Sequence, residues 1–193
     1  SKEGVLIAEF GEERRDFIAI SETPQQMINA ILSIEDRRFF EHPGIDFIGI
    51  TRAALKNITG KSHEGASTIT MQVARNFFLT SERTFKRKIN EILLAIKIER
   101  ILSKEEILEL YINQIYLGQR SFGFAAAANT YYGKNLDELN LGETALLAGL
   151  PKAPSRYNPL VRPHLAIKRQ QAVLNSMLRH GYIDKTTHIL ALD

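Results

Sequence analysis

Cysteine is absent from the 193 residues, which excludes disulfides and thiolate metal sites and leaves the redox compartment unread. No stretch approaches the roughly 18 consecutive apolar residues of a membrane-spanning helix, and no secretory leader is visible at the start. Excess charge of either sign is small as well. A net charge of +3 is too weak for a global nucleic-acid reading, so local clustering has to decide. Internal repeats, low-complexity tracts and linkers are missing, which predicts one unit over residues 1–193. What the chain does have is 44% hydrophobic residues, enough to bury one good core. It opens abruptly at Ser1 and stops at Asp193 without a tail, as expected of a domain excised from something longer.

The fold is predicted to be mainly α. Val5–Phe10 and Phe17–Ile20 are short β-like runs on either side of Gly11-Glu12-Glu13-Arg14, which predicts an N-terminal hairpin. Everything after residue 23 reads as helix. Thr23-Pro24-Gln25-Gln26 is a start signal, with threonine as the cap and proline at the first helical position. Asp46 is expected to cap a helix carrying Phe47, Ile50, Ala54, Leu55 and Ile58, stopped by Gly60. A polar loop over 61–65 precedes Ser67-Thr68-Ile69-Thr70 and a helix ending near Leu79. A long helix from Ser81 is expected to turn Phe85, Ile89, Leu93 and Ile96 inward. Ser103 with Glu106 and Asn140 with Glu143 form capping boxes, for helices ending at Gly118 and Pro151. Pro163 to His180 is the last long helix, with Gly181 as its stop.

Chemistry enters with a carboxylate on an apolar stripe. Ile28, Ile31, Leu32, Glu35 and Phe39 recur at helical spacing, so Glu35 shares a face with core residues. Desolvation there raises its proton affinity toward the range useful for acid–base work. Arg37-Arg38, Phe40 and His42-Pro43-Gly44 follow at once. His42 by itself reads as a hydrogen-bonded structural histidine. No second histidine or carboxylate sits at helical metal-ligand spacing, which argues against zinc.

Three further constellations stand out. Gly65 to Gln72, running on to Arg75-Asn76, places small hydroxyl residues at a helix start, where exposed N–H groups can seat phosphate oxygens. It lacks the glycine-lysine-serine/threonine ending of a Walker loop, and a plain Ser/Thr cap is the simpler reading. Arg83, Lys86, Arg87 and Lys88 with Glu91 cluster on the next helix. An Arg87–Glu91 ion pair on a solvated face would account for some of this, but cations at a helix N-terminus oppose the dipole. An anion is expected to compensate, and with Arg75 the cluster would suit a diphosphate. Last, eight of the ten phenylalanines fall between Phe39 and Phe124. Most are expected in the core, and any exposed beside the cations would suit a bilayer or a lipid-tailed substrate.

Taken together, these segments resemble the peptidoglycan glycosyltransferases (family 51), found in class A penicillin-binding proteins and monofunctional transglycosylases. The likeness runs from about Pro24 to Gly181 and rests on five blocks in the family's order. Glu35 to Gly44 is similar to the first, Gly65 to Gln72 to the second and Arg87-Lys88-Ile89-Asn90-Glu91 to the third. Ile107 to Asn113 with Tyr116-Leu117-Gly118 is similar to the fourth. Arg169 with Val173-Leu174 and Met177 is similar to the fifth, led in by Leu150 to Ser155 and Tyr157-Asn158-Pro159. Met71 departs from the pattern, standing where the family usually has the first glutamine of a pair.

The resemblance implies a lysozyme-like fold with a globular lobe and a smaller, membrane-associated jaw lobe. It implies a polymerase of lipid II at the outer face of the bacterial cytoplasmic membrane, with the anchor outside this chain. The reaction would make β-1,4 glycan by inversion, release undecaprenyl diphosphate and be a target of moenomycin. Carried over, Glu35 is the catalytic base and Glu91 the second acid. Gln72, Arg75, Arg87 and Lys88 hold the donor diphosphate, with Ser67 and Thr68 lining the same end of the cleft. No cofactor is required by the sequence; a divalent ion such as Mg²⁺ near Glu91 is left open as an aid to the cations. A lysozyme-like lytic transglycosylase or glycan hydrolase is the nearest alternative, and it would need no basic helix. A nucleic-acid module using Lys86 to Lys88 would leave Glu35 unexplained.

Overall fold

The computed structural model describes residues 13–58, 67–78 and 84–192. In chain order the elements are β1 (Arg14–Arg15), α1 (Gln25–Glu35), α2 (Phe47–Ile58), α3 (Ile69–Phe78), α4 (Phe85–Ile98), α5 (Lys104–Gln114), β2 (Ser121–Phe122), α6 (Phe124–Tyr132), α7 (Leu141–Gly149), α8 (Pro163–Arg179) and α9 (Lys185–Leu190). Single 3₁₀ turns occupy Ile20–Glu22, Leu136–Glu138 and Leu150–Lys152. The mainly helical expectation holds.

The core is built where α7 packs on α1 and α8, and where α5 backs α3. Ile31, Ile112, Phe124, Leu147 and Val173 meet there, each with no measurable exposure. Burying a side chain of this kind contributes about 1.5–3 kcal/mol. The helices begin largely as the residues dictate. Ser103 and Asn140 accept from the N–H groups of Glu106 and Glu143, whose carboxylates reach back to the cap N–H groups. Gly181, with φ +75°, ends the chain's last long helix just past Arg179.

Several expectations are corrected. Phe17–Ile20 is not a strand, because side chains of α5 take its backbone groups. The Ile18 N–H donates to Asn113 Oδ1 (2.9 Å), the Asn113 amide donates to the Ile18 carbonyl (2.8 Å), and the Ile20 N–H donates to Glu109 (2.7 Å). The observed strand pair is parallel, with Arg14 opposite Ser121 and Arg15 opposite Phe122. Val5–Phe10 lies outside the described residues. Thr23 does not cap α1; its hydroxyl donates to the Ala19 carbonyl at 3.0 Å. The helices after Ser103 and Asn140 end at Gln114 and Gly149, short of Gly118 and Pro151.

The larger correction concerns α4. Thr84 caps it, its hydroxyl accepting from the Arg87 N–H. Gly60, residues 61–65, Leu79 and Ser81 to Arg83 lie outside the described residues. Glu91, Ala95 and Ile98 form the buried face of α4. Residues 85, 89 and 93 therefore fall on the opposite face, and Phe85, Ile89 and Leu93 are 93%, 58% and 59% exposed. Ile96 is only half-buried. The phenylalanines behave alike: Phe39 and Phe124 are buried, whereas Phe40, Phe47, Phe77 and Phe85 are exposed. On α2, Ile48 and Ile50 join Phe47 outside, while the side chains of Ala54, Leu55 and Ile58 are not among those described.

Candidate active site

Glu35 closes α1, and its carboxylate points into a cleft of about 720 Å³ bounded by α1, α2, α3, α8 and the turn at Pro151-Lys152. The side chain is 12% exposed. Gln72 Nε2 donates to one carboxylate oxygen at 3.0 Å and the Arg169 guanidinium to the other at 3.3 Å. Burial dominates and pushes the Glu35 pKa up, while the Gln72 hydrogen bond and the charges of Arg169, Lys152 and Arg75 pull the other way. The desolvated carboxylate expected from the apolar stripe is thus present, restrained by partners from distant parts of the chain.

The residue that holds it was not marked as a site residue in the sequence. Arg169 is only 9% exposed and shares the buried face of α8 with Ala166, Val173 and Met177. A cation on an apolar stripe is the same signal as Glu35, read on a different helix. Its Nε donates to the Gly149 carbonyl at 2.9 Å. Gly149 is needed for that approach, since a Cβ there would lie 2.8 Å from Arg169 Cγ.

The loop after α1 is locked from beneath. His42 and Asp36, both buried, pair at 2.9 Å, so His42 has the structural role its position suggested. Asp36 Oδ2 also accepts from the Ile69 N–H (3.0 Å) at the start of α3. Thr68 donates to the Gly44 carbonyl at 2.6 Å. Gly44 has φ +88°, and a Cβ would meet Glu99 Cγ at 3.0 Å and the Ala95 carbonyl oxygen at 3.1 Å, so glycine is required. Arg38 is spent on Glu41 and Asp46.

Of the expected site residues, Glu35, Ser67, Thr68, Gln72 and Arg75 line the one cleft. Arg87, Lys88 and Glu91 form a second cluster that is not part of its wall. There Lys88 Nζ lies 2.8 Å from Glu91, which is 2% exposed, and Arg87 Nε lies 3.8 Å from it. Lys88 Nζ also donates to Ser67 Oγ at 2.8 Å, so the cluster reaches the cleft through Ser67. Met71, the departure from the family pattern, is buried at 2% exposure and serves packing. Gly65 lies outside the described residues. The cleft wall adds Lys152 and Arg37, which stood in motif blocks without a site role, and Arg52, Arg179 and His180, which no local pattern singled out. Two cations, Lys88 and Arg87, flank the Glu91 carboxylate.

A desolvated base beside fixed cations is the equipment of a transferase acting on an anionic leaving group. Residues 3–178 match the transglycosylase family, and the chain belongs to it, as a glycosyltransferase domain. It is 55% identical over 184 residues to penicillin-binding protein 1A of Neisseria gonorrhoeae, covering 95% of this chain and 23% of that protein. It is 54% identical over 194 residues to penicillin-binding protein 1A of Pseudomonas aeruginosa, covering 100% of this chain and 24% of that protein. The crystal structure of penicillin-binding protein 1A from Haemophilus influenzae superposes with a TM-score of 0.58 at 32% identity, over 99% of this chain and 19% of that one. The chain therefore spans about a quarter of the length of the relatives it matches.

Proposed function

We propose that this domain polymerises lipid II into β-1,4-linked glycan at the outer face of the bacterial cytoplasmic membrane. The observation that carries the reading is the Glu35 carboxylate, raised in pKa by burial, with Arg75, Lys152 and Arg169 within electrostatic reach of it. Glu35 takes the proton from the acceptor's GlcNAc 4-hydroxyl as that oxygen bonds to C1 of the donor MurNAc. The C1–O bond to phosphate breaks, its electron pair leaves with undecaprenyl diphosphate, and the configuration at C1 inverts. An ordinary glutamate, with a pKa of about 4.3, is a weak acceptor for a hydroxyl proton; a raised one is better matched, and such assistance is typically worth about 10²–10⁴-fold. The cations act on the departing diphosphate, whose growing charge they stabilise without reorganising.

Gln72 and Arg169 hold the carboxylate in line. Lys88 supports the diphosphate end through Ser67, and Glu91 keeps Lys88 and Arg87 in position. The exposed row Phe85, Ile89 and Leu93 on the same helix as those cations suits the bilayer surface that a lipid-linked substrate requires. Labelled lipid II in detergent tests the assignment: longer products that disappear in Glu35→Gln are expected, and shortening of finished glycan would identify a lytic enzyme instead. Arg87→Ala and Lys88→Ala are expected to weaken moenomycin binding if the basic cluster mimics a diphosphate site.

A further inference from the structure

One stretch of the cleft has no part in that chemistry. Arg169, Ala172, Ser176 and Arg179 recur at three and four residues along α8 and all line the cleft, so one helix face forms its floor. At 1.5 Å per residue, Arg179 stands about 15 Å along the axis from the arginine paired with Glu35. At that far end Arg37 from the loop after α1, Arg52 from α2 and His180 join it.

The wall is cationic, and among the described residues neither Arg37 nor Arg179 is paired with a carboxylate. The three carboxylates of the cleft are already engaged: Glu35 by Arg169, Asp36 by His42 and Asp46 by Arg38. Arg37 meets no carboxylate in the described structure. Its guanidinium lies 3.3 Å from His180 Nε2. The tautomer follows from the neighbours. Ser176 donates its proton to the Ser33 carbonyl at 2.6 Å, so towards His180 Nδ1, 3.3 Å away, it can only accept. Nδ1 carries the hydrogen, Nε2 is left as the acceptor, and a neutral His180 props Arg37 against the cleft. Burial and the charges of Arg37, Arg179 and Arg52 all hold the His180 pKa below its usual value, as a neutral ring requires.

Resting on the function proposed above, we infer that this far wall is a carboxylate-binding subsite for the peptide branch of the glycan substrate, with Arg37 and Arg179 as the contacts and His180 as the positioning residue. The departing diphosphate is bonded to the reacting carbon and so belongs where Arg169 meets Glu35, whereas Arg179 is rooted about 15 Å further along α8 than Arg169. Lipid II, under the proposed function, is a disaccharide-pentapeptide on undecaprenyl diphosphate; its peptide branch ends in a carboxylate, and five extended residues reach about 17 Å. Planar guanidinium groups are the side chains that grip a carboxylate in a bidentate way.

The test compares lipid II with the same lipid in which the branch carboxylates are amidated, measuring kcat and KM for both. The wild type is expected to prefer the acidic branch by about tenfold, mostly in KM, as befits a hydrogen bond to a charged group. Arg37→Ala with Arg179→Ala is expected to erase that preference, and Arg179→Lys to keep part of it. Both arginines are exposed, so unchanged melting temperatures are expected. His180→Gln, which retains an acceptor for Arg37, is expected to preserve the preference better than His180→Ala. A wild type that does not discriminate overturns the inference, as does a double variant that loses equally on both lipids. Glu35→Gln separates the two readings, since failure of polymerisation as such would show there and not in the ratio.

Discussion

The buried faces of α1, α7 and α8 and the outer faces of α2, α3 and α4 carry the same kind of sequence and end in opposite environments. Both have apolar residues at spacings of three and four. In the first group those residues interlock, with Ile31, Leu147 and Val173 fully buried. In the second, Phe47, Ile48, Phe77, Phe85, Ile89 and Leu93 stay outside, the last three on the same helix as the Arg87–Lys88–Glu91 cluster. The contrast shows that an apolar stripe specifies a face to be covered but not the material that covers it. In one region the cover is another helix; in the other, under the proposed function, it is lipid.

The contrast can be broken most forcefully at the catalytic base. Glu35→Gln is expected to lower the polymerisation rate by about 10²–10⁴-fold, with near-normal turnover refuting the role. Its melting temperature should hold or rise at neutral pH. Because the folded-state pKa is raised, ionising Glu35 costs stability at pH values above it. The gain from glutamine is therefore full there and fades as pH falls toward the ordinary glutamate range.

Next come paired truncations of leucine. Leu147→Ala, at a site with no exposure, should cost about 2–5 kcal/mol in denaturant unfolding. Leu93→Ala, 59% exposed, should stay within about 0.5 kcal/mol. Comparable losses would mean the two regions are packed alike. Phe85→Ser combined with Leu93→Ser sharpens the same point, with vesicle co-sedimentation expected to fall several-fold while thermal stability is kept.

Smaller effects probe the brace behind the base. Gly149→Ala forces Arg169 to move and should reduce turnover with little change in moenomycin affinity. In Arg169→Gln the charge that lowers the Glu35 pKa is gone. The acidic limb of kcat/KM, below which the base is protonated and idle, is then expected to shift to higher pH; a shift to lower pH would contradict the pairing.

Local patterns revealed a good part of this. Glu35 was legible because four apolar neighbours at helical spacing bury whatever stands among them. The capping boxes at Ser103 and Asn140 were legible because both partners lie within four residues. Arg169 carries the same signal as Glu35, but a block match attaches no charge partner to it, and Glu35 lies 134 residues away. Thr23 looked like a cap until Ala19 took its hydroxyl. The stripe on α4 was read inward because periodicity is blind to which neighbour arrives, and here α3 met the other face. The pairing of His180 with Arg37, 143 residues apart, is invisible to a local reading.

By itself the sequence determined where helices run, which residues share a face and that one carboxylate would be short of water, because backbone hydrogen bonding within a turn imposes its period regardless of what lies outside. Only the tertiary structure decided which face is buried, that Arg169 meets Glu35 across 134 residues, and that the cations divide between two ends of a cleft. Those outcomes depend on contacts between segments that the chain brings together only on folding, where the cost of desolvating each charge is weighed against the partner it finds.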